Sequence, residues 1–107
     1  MVTESINLLI SKYVSELKRN GIEISKVILF GSYADGNPSE NSDIDLAIVS
    51  PQFDDGNKEK YSSILWLCTE VVDYIIEPIG IGEKFFHGDE FSPLLDLLKA
   101  KGMEVPA

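Results

Sequence analysis

Apolar and polar positions recur along the chain with two different periods, and the switches between them mark out its elements. Ile6, Leu9, Ile10, Tyr13, Val14 and Leu17 follow one another at helical spacing, which predicts an amphipathic first helix. Thr3 is placed to cap it, Lys18 and Arg19 suit its C-terminal turn, and Asn20-Gly21 stop it. An apolar run from about Ile24 or Lys26 to Phe30 predicts the first strand, which breaks off in Gly31-Ser32. Gly36, Asn37 and Pro38 leave room for only a short helix after Ser32. A second strand is expected from about Asp43 to Val49, closed by Ser50-Pro51, with a turn at Asp54-Asp55-Gly56-Asn57.

Further on, Tyr61, Ile64, Leu65 and Cys68 define one face of a second helix, about Asn57 to Glu70. A third strand is predicted from Asp73 to Ile79, followed by a Gly-flanked loop, Gly80-Ile81-Gly82, and by a loop carrying His87. Ser92 caps and Gly102 stops a short last helix, about Pro93 to Lys101. No repeat, low-complexity tract or linker interrupts the pattern, so residues 1–107 are expected to form a single domain. Helices alternating with strands predict an α/β fold, a small sheet flanked by helices.

Composition adds bounds. With 44% hydrophobic and 25% charged residues, the chain has the make-up of an ordinary soluble globular protein. No apolar run nears the ~20 residues that span a bilayer, and the N-terminus has no signal-peptide pattern. Cys68 is the single cysteine, which excludes an intramolecular disulfide and suits a reducing, cytoplasmic setting. The 107 residues allow a modest core but are few for a self-sufficient enzyme. A net charge of −9 repels nucleic-acid backbones, which argues against template-directed polymerisation. It serves solubility, or complements a basic partner protein.

The chemistry is concentrated between Gly31 and Leu46. Asp43 and Asp45 flank one isoleucine inside the second strand, where i and i+2 share a face and stand roughly 6–7 Å apart. Carboxylates that close repel one another and lose solvation in a fold. A divalent cation relieves both costs, and Mg²⁺ prefers hard oxygen ligands. Gly31-Ser32 can offer backbone N–H groups and a hydroxyl to a phosphate, with no Cβ at Gly31 in the way. A phosphate cradle beside a cation-binding pair points to chemistry on a nucleoside triphosphate. Asp73 and Glu77 supply two more acids from which a third ligand, or a group activating an acceptor hydroxyl, could come.

Phe30-Gly31-Ser32-Tyr33-Ala34-Asp35-Gly36, about ten spacer residues from Tyr33, and Ser42-Asp43-Ile44-Asp45-Leu46 together resemble the signature of the DNA polymerase β-like nucleotidyltransferase superfamily. The short chain is similar to its minimal branch, the MNT proteins encoded beside HEPN-domain partners. The likeness is close from Val27 to Val49 and looser to about Phe91. It implies a mixed sheet with the carboxylates on its exposed face, Mg²⁺ as cofactor and ATP as substrate. It implies transfer of AMP to a hydroxyl of a protein acceptor, a HEPN-type toxin that this chain would neutralise as antitoxin. It also places a third acid on the strand after the second helix. Ile76-Glu77-Pro78 resembles the family's form there and favours Glu77 over Asp73. By this carry-over Asp43, Asp45 and Glu77 are the catalytic and metal residues, and Gly31 and Ser32 hold the nucleotide.

One departure stands out: many relatives carry an arginine near Tyr33 and Asp35, and Ser-Tyr-Ala-Asp has no positive charge. His87, a lone histidine, and Cys68, on an apolar helix face, read as structural. Trp66 falls off that face and could anchor another chain. Two alternatives to protein adenylylation follow. One is a catalytically weak subunit that neutralises a toxin by binding. The other is a small-molecule (antibiotic) nucleotidyltransferase, a type that carries a further drug-binding domain.

Overall fold

The first periodic segment folds as α1 (Glu4–Arg19), which buries Ile10, Tyr13, Val14 and Leu17 along one stripe. The chain is seen in a computed structural model that describes residues 4–36, 38 and 43–107. Thr3, the expected cap, lies outside the described residues, as do Asn37 and Ser42. At its far end α1 closes as the sequence anticipates. Gly21 adopts φ +85°, the Ile22 N–H donates to the Leu17 carbonyl at 3.0 Å, and the Gly21 N–H donates to that of Lys18 at 3.1 Å. This is a Schellman closure, and the positive φ is why glycine stands there.

Among the described residues four strands form one sheet in the order β3-β2-β1-β4. β1 (Lys26–Phe30) runs antiparallel to β2 (Ile44–Ser50) and to β4 (Met103–Val105), whereas β2 and β3 (Ile76–Gly82) are parallel. The parallel crossover is made by α2 (Lys58–Val72), as parallel pairing requires. α1 and α2 cover one face, where Val27, Leu29, Ile44, Leu46, Ile48 and Ile76 meet Tyr13, Leu17, Leu65 and Cys68. The Tyr13 hydroxyl, fully buried, donates to the Leu65 carbonyl at 2.7 Å and ties the two helices together. Ile28, Ala47, Val49 and Ile81 face the other way, onto Phe86 of α3 (Glu83–His87) and Leu95 and Leu98 of α4 (Pro93–Lys101). Each fully buried Leu or Ile contributes about 1.5–3 kcal/mol, so the two-sided burial of β2 makes it the centre of the fold.

Several boundaries move from where the pattern put them. α2 runs on to Val72, and the next strand starts at Ile76 instead of Asp73. Asp73 makes the turn between them: its side chain accepts the Ile75 N–H at 2.9 Å and its carbonyl accepts that of Ile76 at 3.3 Å. Gly80-Ile81-Gly82, expected as a loop, completes β3. The Phe53 ring lies on Gly80 so closely that even a methyl there would press into it, which accounts for glycine inside a strand. His87 ends a short helix rather than lying in a loop, because Phe86 beneath it is buried. β4 has no counterpart in the sequence reading. Among the described residues no helix is long and apolar enough to cross a membrane.

Candidate active site

The site is assembled where β1 ends and where β2 and β3 begin. Phe30, the last residue of β1, pairs with Asp45, so Gly31 turns away beside that carboxylate. It does so at φ +76°, and a Cβ there would collide with Asp45 Oδ2. Gly31 is therefore required twice, by backbone conformation and by the closeness of an acid. A 3-10 turn, Gly31–Tyr33, follows, and the Gly31 carbonyl accepts the N–H groups of Ala34 (3.1 Å) and Asp35 (3.0 Å). Ser32 is half-buried in this turn; Tyr33 packs on the core below α1 and α2, and Asp35 is exposed.

Across the sheet, Asp45 is in register with Glu77 on the parallel neighbour. Both point to the α3–α4 face of the sheet, in phase with Ala47 and Ile79. That face is not bare, as the resemblance implied; α3 and α4 cover part of it, and the acids lie at its uncovered end. Asp43, exposed just ahead of β2, acts electrostatically on both. Burial raises the Asp45 carboxyl above its usual range, a hydrogen bond with Glu77 partly offsets this, and the Asp43 charge raises it further. Glu77 is raised as well, by desolvation first and then by the Asp43 and Asp45 charges. Acids that raise one another and can share a proton are the electrostatic mark of functional sites.

No lysine or arginine compensates them among the described residues: the ion pairs are Arg19–Glu16, Lys26–Glu104 and Lys84–Asp55. The three side chains do not converge as a closed cation cage. They form an open row of hard oxygen donors, which suits Mg²⁺, an ion that keeps several waters and shares its positions with substrate phosphates. Asp73, the competing third acid, is remote in role, engaged at the end of α2. Cys68 is buried beside Asn20 Nδ2, and Trp66 is 52% exposed.

A cavity of about 530 Å³ opens nearby, between Phe53, Asp54, Asp55 and Lys58 on one side and Lys84, Phe85, Gly88, Glu90 and Leu94 on the other, with Ile79 to Gly82 as its floor. None of the three acids lines it. The sequence reading missed it, although Pro78, Gly80 and Gly82 alternating in a strand were a visible signal.

Residues 10–92 match the family described as "Nucleotidyltransferase domain". The chain belongs to that family. Two curated proteins of Methanocaldococcus jannaschii, each named a "putative protein adenylyltransferase", resemble this nucleotidyltransferase. The first is 35% identical over 89 residues, covering 80% of this chain and 75% of its own length. The second is 32% identical over 66 residues, covering 62% of this chain and 59% of its own length. In three dimensions the nucleotidyltransferase matches the crystal structure of a "putative nucleotidyltransferase" from Sulfolobus solfataricus. That match has a TM-score of 0.65 at 18% identity and covers 92% of this chain and 77% of the other. The mixed four-stranded α/β sheet is thus the fold that the signature implied.

Proposed function

We propose that this nucleotidyltransferase transfers AMP from ATP to a hydroxyl of a protein acceptor. The observation that carries the reading is the row Asp45–Glu77 in register beside a glycine whose positive φ and missing Cβ leave room for Asp45. Asp43 and Asp45 would hold Mg²⁺, which supplies charge neutralisation for the triphosphate and for the oxygens of the transition state. Gly31 and Ser32 hold the phosphates at the turn. Glu77 takes the acceptor's hydroxyl proton, a task suited to a carboxyl whose affinity for protons is raised. The acceptor oxygen bonds to the α-phosphorus, the bond from that phosphorus to the bridging oxygen breaks, and pyrophosphate leaves. The names of the M. jannaschii relatives favour a protein acceptor. A net charge of −9 favours a basic or mixed-charge one, for which a HEPN-type toxin is the candidate.

A second reading has its own observation. Trp66, Leu67 and Val71 on α2 are 52%, 57% and 68% exposed, an apolar patch on which a partner could be held without chemistry. Intact-mass spectrometry of the chain co-expressed with the neighbouring gene's product separates the two. Adenylylation adds ~329 Da per AMP to the partner's hydroxyl and disappears with Asp43→Asn/Asp45→Asn. A stable complex without added mass supports the binding subunit, and no complex at all returns the question to a small-molecule acceptor.

A further inference from the structure

Among the described residues the outer edge of β3 lacks a partner strand, and it leads to the site. Among those residues β3 pairs only with β2. The phase of that ladder follows from the Ile44 N–H donating to the Ile75 carbonyl at 2.7 Å and from the Asp45–Glu77 register. Alternate residues carry the bonds of a parallel pair, so Glu77, Ile79 and Ile81 turn their peptide groups to β2. Pro78 and Gly80 turn theirs outward. Pro78 has no N–H to lose, which is where an edge strand accepts proline. The Gly80 N–H and C=O have no partner among the described residues, although Gly80 is buried and forms part of the cavity floor. An edge peptide group without a protein partner is left to water or to a ligand, and here it faces the groove.

We propose that this groove takes an extended segment of the acceptor protein as an added strand along β3, and that the segment delivers its hydroxyl to Glu77. The inference rests on the transfer reading above and names how the acceptor is held. Backbone groups pointing outward at every second residue match a peptide backbone; a compact small molecule could satisfy one of them. A segment pairing with β3 lies about 4.8 Å from it. Its residue level with Glu77 then extends the row Asp45–Glu77 by one strand spacing, with its side chain on the acids' face. At Gly82 the groove is closed by Asp54, whose carboxylate accepts the Lys84 N–H at 3.1 Å. The open stretch thus admits about four or five residues. Because Pro78 removes one rung, pairing alone is weak, and the walls at Phe85 and Leu94 must contribute.

The probe is a pool of capped heptapeptides with serine, threonine or tyrosine at the centre and mixed residues elsewhere, incubated with the whole chain, MgCl₂ and ATP. Two further pools are N-methylated at alternate amides, in opposite phases. We expect the unmethylated pool to gain AMP. One methylated phase should lose labelling by about tenfold or more, the loss of two backbone hydrogen bonds, and the other should keep it. Leu94→Trp, which fills the groove from a side chain 37% exposed, should depress labelling similarly while Mg²⁺–ATP binding by calorimetry is unchanged. If ATP binds but the pool is unlabelled, or both methylated phases behave alike, the groove proposal is wrong. If ATP does not bind, the transfer reading fails, and amide exchange at Gly80 judges the groove alone. Slowing on addition of the pool upholds strand addition; an unchanged rate overturns it.

Discussion

Replacing Gly31 by alanine tests the site through a single methyl group. Two penalties should apply. The backbone at φ +76° is a conformation that a residue with a Cβ adopts at a cost of about 1–2 kcal/mol. The new methyl would also overlap Asp45 Oδ2, so the carboxylate must swing out of its row. Gly21→Ala provides the reference, since Gly21 has φ +85° and nothing within 4 Å of its would-be Cβ. That variant should show the backbone cost alone. At about 4–8 °C per kcal/mol for a domain of this size, it should melt roughly 4–15 °C lower with transfer intact. Gly31→Ala should lose at least as much stability and, in addition, about 10²-fold in AMP transfer, the scale of a 1 Å misplacement in a site. Urea unfolding and a pyrophosphate-release assay on both variants give the comparison. Equal transfer rates in Gly31→Ala and Gly21→Ala would refute the claim that Gly31 sets the position of Asp45.

Asp43→Asn with Asp45→Asn should abolish transfer while the metal-free protein stays folded, as the circular dichroism spectrum would show. Asp45 and Glu77 set a pH dependence. Asp45 and Glu77 hold protons more tightly folded than unfolded, so their contribution is complete below the ordinary carboxylate value of about 4. It is lost as pH rises through their raised values. The wild-type urea midpoint without Mg²⁺ should fall over that window, and the double variant should show a flatter profile. Glu77→Gln should cut turnover by at least ~10²-fold with little change in ATP affinity, whereas Asp73→Asn should cost about 1 kcal/mol of stability and leave turnover alone; the reverse pattern would exchange their roles. Tyr13→Phe removes the hydroxyl's bond to the Leu65 carbonyl, which keeps its place in the α2 ladder, and should cost about 0.5–1.5 kcal/mol by chemical denaturation, without affecting transfer.

What could be read from the sequence was local and periodic. The end of α1 at Asn20-Gly21, the strand ending at Phe30, and α4 with its Ser92 cap and Gly102 stop all follow from signals within a few residues. Ser92 does accept the Leu95 N–H, at 3.3 Å. The start of β3 was misplaced because Tyr74 and Ile75 favour strands as Ile76 does, and no Gly or Pro stands before them to mark a turn. The turn there is made by one side-chain bond from Asp73, and the strand continues through glycines because a distant ring, Phe53, needs the room. β4 escaped notice since three residues carry no periodicity; only its pairing with β1 makes it a strand. In the site, spacing alone brought out Gly31, Asp43 and Asp45. Spacing left Asp73 and Glu77 both open, because the register that sets Glu77 beside Asp45 is not a local signal; only the likeness of Ile76-Glu77-Pro78 to the family's form favoured Glu77.

β2 carries Asp45 near its first residue and is core for the rest of its length, hydrogen-bonded on both edges and covered on both faces. Segments of that kind open only when the whole molecule opens. The Asp45 backbone therefore has no local melting of its own, and amide exchange along β2 should be the slowest in the protein, set by global unfolding. Heat should then displace Asp45 only as the whole domain unfolds, with no temperature range in which a folded chain has lost that carboxylate from its place. Adaptation to a hotter or colder setting would have to act through the stability of the entire domain.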